Sequence, residues 1–202
     1  MKLYYSPGAC SLSPHLVLKE SGLGFEAIAA PTKTHKLADG TDYYTINPLG
    51  YVPYLVLDDG RTLHEGPAIV QYIADQVPDK HLAPANGSWE RYKLQEWLNT
   101  ISTELHKGFS PLFMPNMPAE AKEITKARLI SRLSWVDGEL AGKNYLMGDT
   151  FSVADAYLFV VAGWSKHVGV DISGMTHLSA FLARVGTRPT VQDALRAEGL
   201  LK

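Results

Sequence analysis

A chain of 202 residues with 46% hydrophobic content is long enough for one large domain or two small ones with a real core. A formal net charge of −2 gives no electrostatic reason to expect nucleic acid or an anionic membrane as partner. A single cysteine rules out an internal disulfide, and the longest apolar run, residues 156–164, falls far short of the ~20 residues of a membrane helix.

No apolar segment follows Met1 and Lys2 as it would in a secretory signal, so the expectation is a cytoplasmic protein. The first fifteen residues, MKLYYSPGACSLSPH, read as a strand, a turn and a helix start. Lys2–Tyr5 carries two aromatics and a leucine, and Ser6, Pro7 and Gly8 end it. Ser11 or Ser13 can cap a helix with Pro14 in its first turn. The lone Cys10 therefore lies in a strand-to-helix turn, where the helix dipole and unpaired N–H groups favour a thiolate. The alternative is a small buried residue that fills the turn. Gly22 and Gly24 end the helix, and residues 25–30 (FEAIAA) form a second strand, which makes a parallel crossover. Residues 31–45 are polar and read as a loop with one helical turn. After the turn Asn47-Pro48-Leu49-Gly50, residues 54–57 (YLVL) are a strand, Asp58-Asp59-Gly60 a hairpin, and residues 61–64 its return. Glu65-Gly66-Pro67 opens a helix with Ile69, Val70 and Ile73 among its apolar residues.

Residues 77–87 contain two prolines, an asparagine and a glycine, and read as a linker. Beyond it the pattern is helical throughout. One helix runs from Ser88 to about residue 113 and is interrupted by Pro115 and Pro118. A second covers residues 119–140 with Leu129, Leu133, Val136 and Leu140 on one face. Others begin at Ser152, near His177 and after Arg188-Pro189. The expected domains are residues 1–80, α/β, and residues 87–202, all-α.

Three further stretches carry possible chemistry. Pro53 is either a trans residue that opens a strand or a cis residue in a constrained turn, and the residue before a cis-proline can offer backbone N–H and C=O to an extended peptide. At Glu65-Gly66 a helix N-terminus can take a carboxylate and the Glu65 side chain an ammonium, together an α-amino acid head group. The alternative is that Glu65 only complements the helix dipole. Asn99, Thr103, His106 and Ser110 recur at i, i+4, i+7 and i+11, an arc of roughly 60° on an α-helix. That stripe is either a solvated face or one turned to a ligand.

Taken together these residues resemble the glutathione S-transferases, the bacterial beta class most closely. YSPGACSLSPH, NPLGYVPYLVLDDG, EGPAIVQYIADQVP, EWLNTISTELHKGFSPLF, FSVADAYLF and RPTVQDALRAEGL all read like that class and span nearly the whole chain. The resemblance implies a thioredoxin-like N-terminal domain with a mixed four-stranded sheet, followed by an all-helical C-terminal domain. It implies glutathione as co-substrate, no metal, a homodimer, and a small hydrophobic electrophile as second substrate. It also implies catalytic roles for Cys10 and His106, with His106 approaching Cys10 and the glutathione sulfur across a cleft. The γ-glutamyl end then matches Glu65 and Gly66, and the cysteinyl backbone Val52 and Pro53. Asn99, Thr103, Glu104 and Leu105 help bind the tripeptide, partly across a dimer interface. The family usually has a lysine where this chain has His35, so His35 or Lys36 is the expected cation for the glycyl carboxylate. If the imidazole serves, affinity weakens above about pH 7.

The reaction so implied is attack of the glutathione thiolate on an aryl or alkyl halide or an activated alkene. The alternatives are thiol–disulfide exchange or reductive dehalogenation through a mixed disulfide at Cys10, and a carrier without turnover. The candidate walls of an electrophile pocket are Ala9, Phe109, Phe113, Met114, Trp164, Ser165, His167 and Val168, with Trp164 and Phe113 equally readable as core. They suit a modest aromatic substrate. Ser152 and Asp155, with Phe151 before them, read as a structural capping box, worth on the order of 1 kcal/mol for either residue.

Overall fold

The computed structural model of the protein describes residues 1–201. It divides into two compact units, Met1–Leu82 together with the segment from Thr187 onward, and Ala83–Gly186. Among the described residues no helix is long and apolar enough to cross a membrane, and no group of three or more His, Cys, Asp or Glu could hold a metal ion.

The first unit is built on strands β1 (Lys2–Tyr5), β2 (Glu26–Ala29), β3 (Tyr54–Val56) and β4 (Thr62–His64) in the order β2-β1-β3-β4. β1 pairs with β2 in parallel, and β1–β3 and β3–β4 are antiparallel, so the sheet is mixed. Helix α1 (Leu12–Ser21) makes the crossover between β1 and β2, and α2 (Gly66–Asp75) follows β4. Side chains alternate along a strand. Leu3 and Leu55 are opposed in register and fully buried, like Leu16, Val17, Ile69 and Ile73 of the helices. Tyr4, on the other face, packs with Ala30, Tyr43 and Val52. The loop after β2 contains a single 3₁₀ turn, Tyr43–Thr45, capped by the Asp42 carboxylate.

Residues 187–201 belong to this first unit, whereas the sequence pattern assigns them to the helical half. Helix α8 (Pro189–Ala197) packs on α1. Two long-range polar contacts hold it there. The Glu20 carboxylate takes a bidentate pair from Arg188, at 2.7 and 2.8 Å, and the Thr190 hydroxyl. The buried Glu198 carboxylate accepts from His15 Nδ1 at 2.8 Å and from the Gly8 amide at 3.0 Å. Burial alone would raise the Glu20 carboxyl, but the Arg188 and Thr190 hydrogen bonds outweigh it and hold it below the usual carboxylate range.

The second unit is helical. Helix α3 (Trp89–Thr100) starts at Ser88, whose hydroxyl accepts from the Arg91 amide. The helical path continues to Phe113 but is not uniform. Ile101–His106 is a π-helical stretch, Lys107–Phe109 a short α turn and Ser110–Phe113 a 3₁₀ turn. Gly108 belongs there for a steric reason: a Cβ would come within 2.9 Å of Leu129 on helix α4 (Ala119–Glu139). Leu129, Leu133 and Val136 of α4 are buried, as their spacing predicts. Helix α5 (Val153–Gly163) is buried along most of its length, the expected behaviour of a helix apolar on every side. The short α6 (Ser165–Val168) and then α7 (Thr176–Gly186) complete the unit.

Candidate functional site

Chain topology gathers one set of the predicted residues at a single end of the first unit's sheet. Tyr4 pairs with Tyr54, and Tyr54 with His64. The turn after β1, the residues before β3 and those after β4 are therefore neighbours. Cys10, Val52-Pro53 and Glu65-Gly66 occupy these three positions, and both α1 and α2 begin at that end.

The turn that carries Cys10 is tied on several sides. The Ser6 amide donates to Ser11 Oγ at 3.0 Å, and that hydroxyl returns to the Ser6 carbonyl. Ser11 thus closes the turn and does not cap the helix with its side chain. Gly8, at φ +71°, offers its amide to Glu198. Cys10 precedes the helix, half-buried, and its Sγ lies 3.3 Å from the Val52 carbonyl oxygen, an S–H···O contact. The Val52–Pro53 bond is cis, and both residues are buried. The lone sulfur and the turn before β3 are therefore in direct contact.

Glu65 is exposed and takes φ +69°, ψ 112°, a conformation non-glycine residues rarely adopt and one that costs on the order of 1–3 kcal/mol. Its side chain does not cap α2. A carboxylate held in a strained conformation at a helix start, without serving that helix, favours the ligand-facing reading over the dipole one. His35 also has positive φ, +50°, and its ring stacks on Tyr44 at 4.5 Å. Its Nδ1 is buried without a hydrogen-bond partner. Lys36 is exposed.

The remaining predicted residues are in the helical unit. The regular 100° spacing assumed for the polar stripe fails at the π-helical stretch, and two of its hydroxyls serve the helix itself. Thr103 Oγ1 donates to the Asn99 carbonyl and Ser110 Oγ to the His106 carbonyl. The Glu104 carboxylate takes Arg132 at 2.8 Å and Arg128 at 3.1 Å, which hold it below the usual carboxylate range. The side chains of Leu105 and Phe109 are 1% and 0% exposed. Both are core residues, on a stretch of the helical path that packs against α4 and α5. Asn99 and His167 are exposed, Val168 is half-buried, Met114 is exposed, and Ser165 is buried with an unpartnered hydroxyl. In the first unit, Ala9 packs against the Tyr4 cluster.

Around His106 the helical unit forms an aromatic nest. Trp164 meets His106, Phe109 and Phe113 edge-on, with centroids 5.1, 5.9 and 5.7 Å apart. His106 Nδ1 lies 2.6 Å from the hydroxyl of Tyr157 on α5. Burial, with the Lys107 cation beside it, pushes the imidazole down to about 4, so His106 is neutral at pH 7. It can act there as a hydrogen-bond donor or acceptor but not as a cation. Tyr157 carries no sequence signal except that a tyrosine in an otherwise apolar buried helix needs a partner for its hydroxyl.

Asp155 is buried and accepts the Ser152 amide and hydroxyl at 2.8 and 2.7 Å. It also accepts the Leu146 amide at 2.8 Å, a contact nine residues away that the capping-box reading omits. Burial, opposed by these hydrogen bonds, raises its carboxyl to about 6.

The chain is similar to known proteins over nearly its whole length. The family described as "Glutathione S-transferase, N-terminal domain" matches residues 8–76, and "Glutathione S-transferase, C-terminal domain" matches residues 93–189. The glutathione S-transferase GstA of Escherichia coli O157:H7 is 49% identical over 99% of this chain and 100% of its own. The chain belongs to the glutathione S-transferase family. Among solved structures, the ternary complex of BphK, a bacterial GST, has 62% identity and a TM-score of 0.97 over 99% of this chain and 100% of its own. The bacterial beta class glutathione S-transferase of Sphingomonas chungbukensis has 49% identity and a TM-score of 0.96 over the whole of both chains.

Proposed function

We propose that the protein binds glutathione at this end of its sheet and joins the tripeptide's sulfur to a small aromatic or halogenated electrophile. The contact of Cys10 Sγ with the Val52 carbonyl, at 3.3 Å, is the observation that supports this most strongly. It brings the lone sulfur to the backbone edge that the resemblance assigns to the cysteinyl unit. Glu65 and the Gly66 amide take the γ-glutamyl ammonium and carboxylate, and Pro53 keeps the Val52 edge in its turn. His35 or Lys36 takes the glycyl carboxylate. Asn99, Thr103, Glu104 and His106 are proposed further contacts on the strength of the family resemblance. In the reaction glutathione loses its S–H proton, a C–S bond forms, and a halide leaves or an activated alkene takes up a proton. Trp164, Phe113 and Met114 supply apolar surface for the electrophile. A homodimer and a cytoplasmic location are parts of the same proposal.

The same contact supports a second reading. With its thiol at the glutathione sulfur, Cys10 can attack a disulfide of glutathione and form a mixed disulfide. A second glutathione then resolves it and leaves as oxidised glutathione, since the chain has no second cysteine. Assays with a chloronitrobenzene and with a mixed-disulfide acceptor, run on wild type and Cys10→Ala, separate the two. Conjugation that survives while disulfide reduction disappears assigns transfer to glutathione and exchange to Cys10. Binding of glutathione with neither activity favours a carrier.

A further inference from the structure

We infer that Tyr157 is a positioning residue: its phenolic O–H donates to His106 Nδ1 and so fixes the proton of the neutral imidazole on Nε2. The inference deepens the transferase reading and rests on it, because a neutral imidazole that donates through Nε2–H can stabilise an anionic sulfur.

The geometry decides the direction of the bond. At 2.6 Å the separation is shorter than the 2.7–3.2 Å usual for an N–H donor to oxygen, and it falls within the range of a hydroxyl donor. A phenol is a strong donor and a weak acceptor, while the lone pair of a neutral imidazole nitrogen accepts readily. The imidazole is neutral at pH 7, so one nitrogen must accept and the other must donate. Tyr157 is 2% exposed, so water does not compete for its hydroxyl. Trp164, edge-on at 5.1 Å, and Tyr157, edge-on at 5.9 Å, fix the plane of the ring. Tyr157 comes from α5, whose start the Asp155 box anchors, so the phenol is held by a rigid element. A wrong tautomer would present a lone pair to an anion and repel it, as a misplaced proton does in other histidine-dependent sites.

The spectrum of the unaltered protein tests the bond. In ¹⁵N-labelled wild type at pH 7, long-range ¹H–¹⁵N correlations should show His106 with its proton on Nε2, the signals assigned by their loss in His106→Gln. A proton on Nδ1 would overturn the inference. Tyr157→Phe should then populate both tautomers and lower kcat for chloronitrobenzene conjugation about tenfold, the worth of one buried hydrogen bond, with KM for glutathione changed less than about twofold. In the His106→Gln background the same Tyr157→Phe change should cost less than about twofold, because its route to the chemistry is already gone. Equal losses in both backgrounds would mean that Tyr157 is only structural. If wild type turns over no electrophile, the transferase reading falls and takes the catalytic half of the inference with it, while the spectrum still decides the tautomer.

Discussion

Two helix starts in this protein use the same residue type to opposite effect. At α1, Ser11 spends its hydroxyl on the Ser6 backbone, and the first turn contains no acidic residue. The positive end of that helix stays uncompensated by its own sequence and faces Cys10, one residue before the cap. At α5, Ser152 and Asp155 form a capping box that closes the end, and Asp155 also fastens the Leu146 loop. An unclosed helix start favours an anion, and a closed one holds a fold together. Near that start Glu198, just past the end of α8, accepts from the Gly8 amide and from His15, while Glu20–Arg188 ties the opposite end of α1 to α8.

The sharpest way to break this contrast is Asp155→Ala. It strands two backbone amides in a buried site, and we expect a loss of about 3–4 kcal/mol, roughly 10 °C in Tm, with the effect confined to stability. A loss near 1 kcal/mol would make the box a simple cap and remove its role as a latch on the loop.

The next effect is a pH slope. Folded His106 binds its proton only near 4, while an unfolded histidine binds near 6.5, so its contribution is present at neutral pH and is lost as pH falls from about 6.5 to 4. Asp155 has the opposite sign. Its folded carboxyl takes a proton near 6 and its unfolded one near 3.8, so acidification over that interval stabilises the fold. The two contributions nearly cancel in wild type. His106→Asn removes the histidine contribution, and the stability gap between variant and wild type should shift by up to about 3 kcal/mol between pH 7 and 4. Chemical denaturation at several pH values measures it, and a constant gap would contradict a neutral, half-buried His106.

Glu20→Gln should weaken the attachment of α8 to α1 by about 2 kcal/mol in urea unfolding. The Glu20 carboxyl is held below its ordinary range, so this contribution is complete above the unfolded carboxylate pKa and disappears as pH falls through the lower folded one. Ser152→Ala should cost about 1 kcal/mol. Cys10→Ala should change stability by less than about 0.5 kcal/mol, because the sulfur is only half-buried and makes a weak S–H contact, while exchange with a mixed-disulfide acceptor should vanish.

Much of the first unit was legible in the sequence because its signals are local. Strand, turn and helix punctuation brings out Lys2–Tyr5, the Asp58-Asp59-Gly60 hairpin and the helix after Glu65 within a residue or two. Antiparallel pairing then collects Cys10, Val52 and Glu65 without any side-chain detail. Backbone conformation was not legible. Sequence alone leaves the Val52–Pro53 isomer undecided and gives no hint that Glu65 has a positive φ. The π-helical stretch at Ile101–His106 also escaped, because the stripe was read with a uniform α period. Contacts such as His15–Glu198 and Glu20–Arg188 join residues 183 and 168 positions apart, and no local pattern announces them. For the same reason the last helix was assigned to the helical half. Leu105 enters the candidate site through the family resemblance, while its position off the polar stripe already marks it as a residue that can bury, as it does.

The most direct measurement is a crystal structure of the protein grown with glutathione. The account predicts the tripeptide's sulfur within about 4 Å of Cys10 Sγ, its cysteinyl backbone paired with Val52, and its γ-glutamyl end at Glu65 and Gly66. Glutathione bound away from Cys10, or absent from the Val52 edge at saturating concentration, would contradict it.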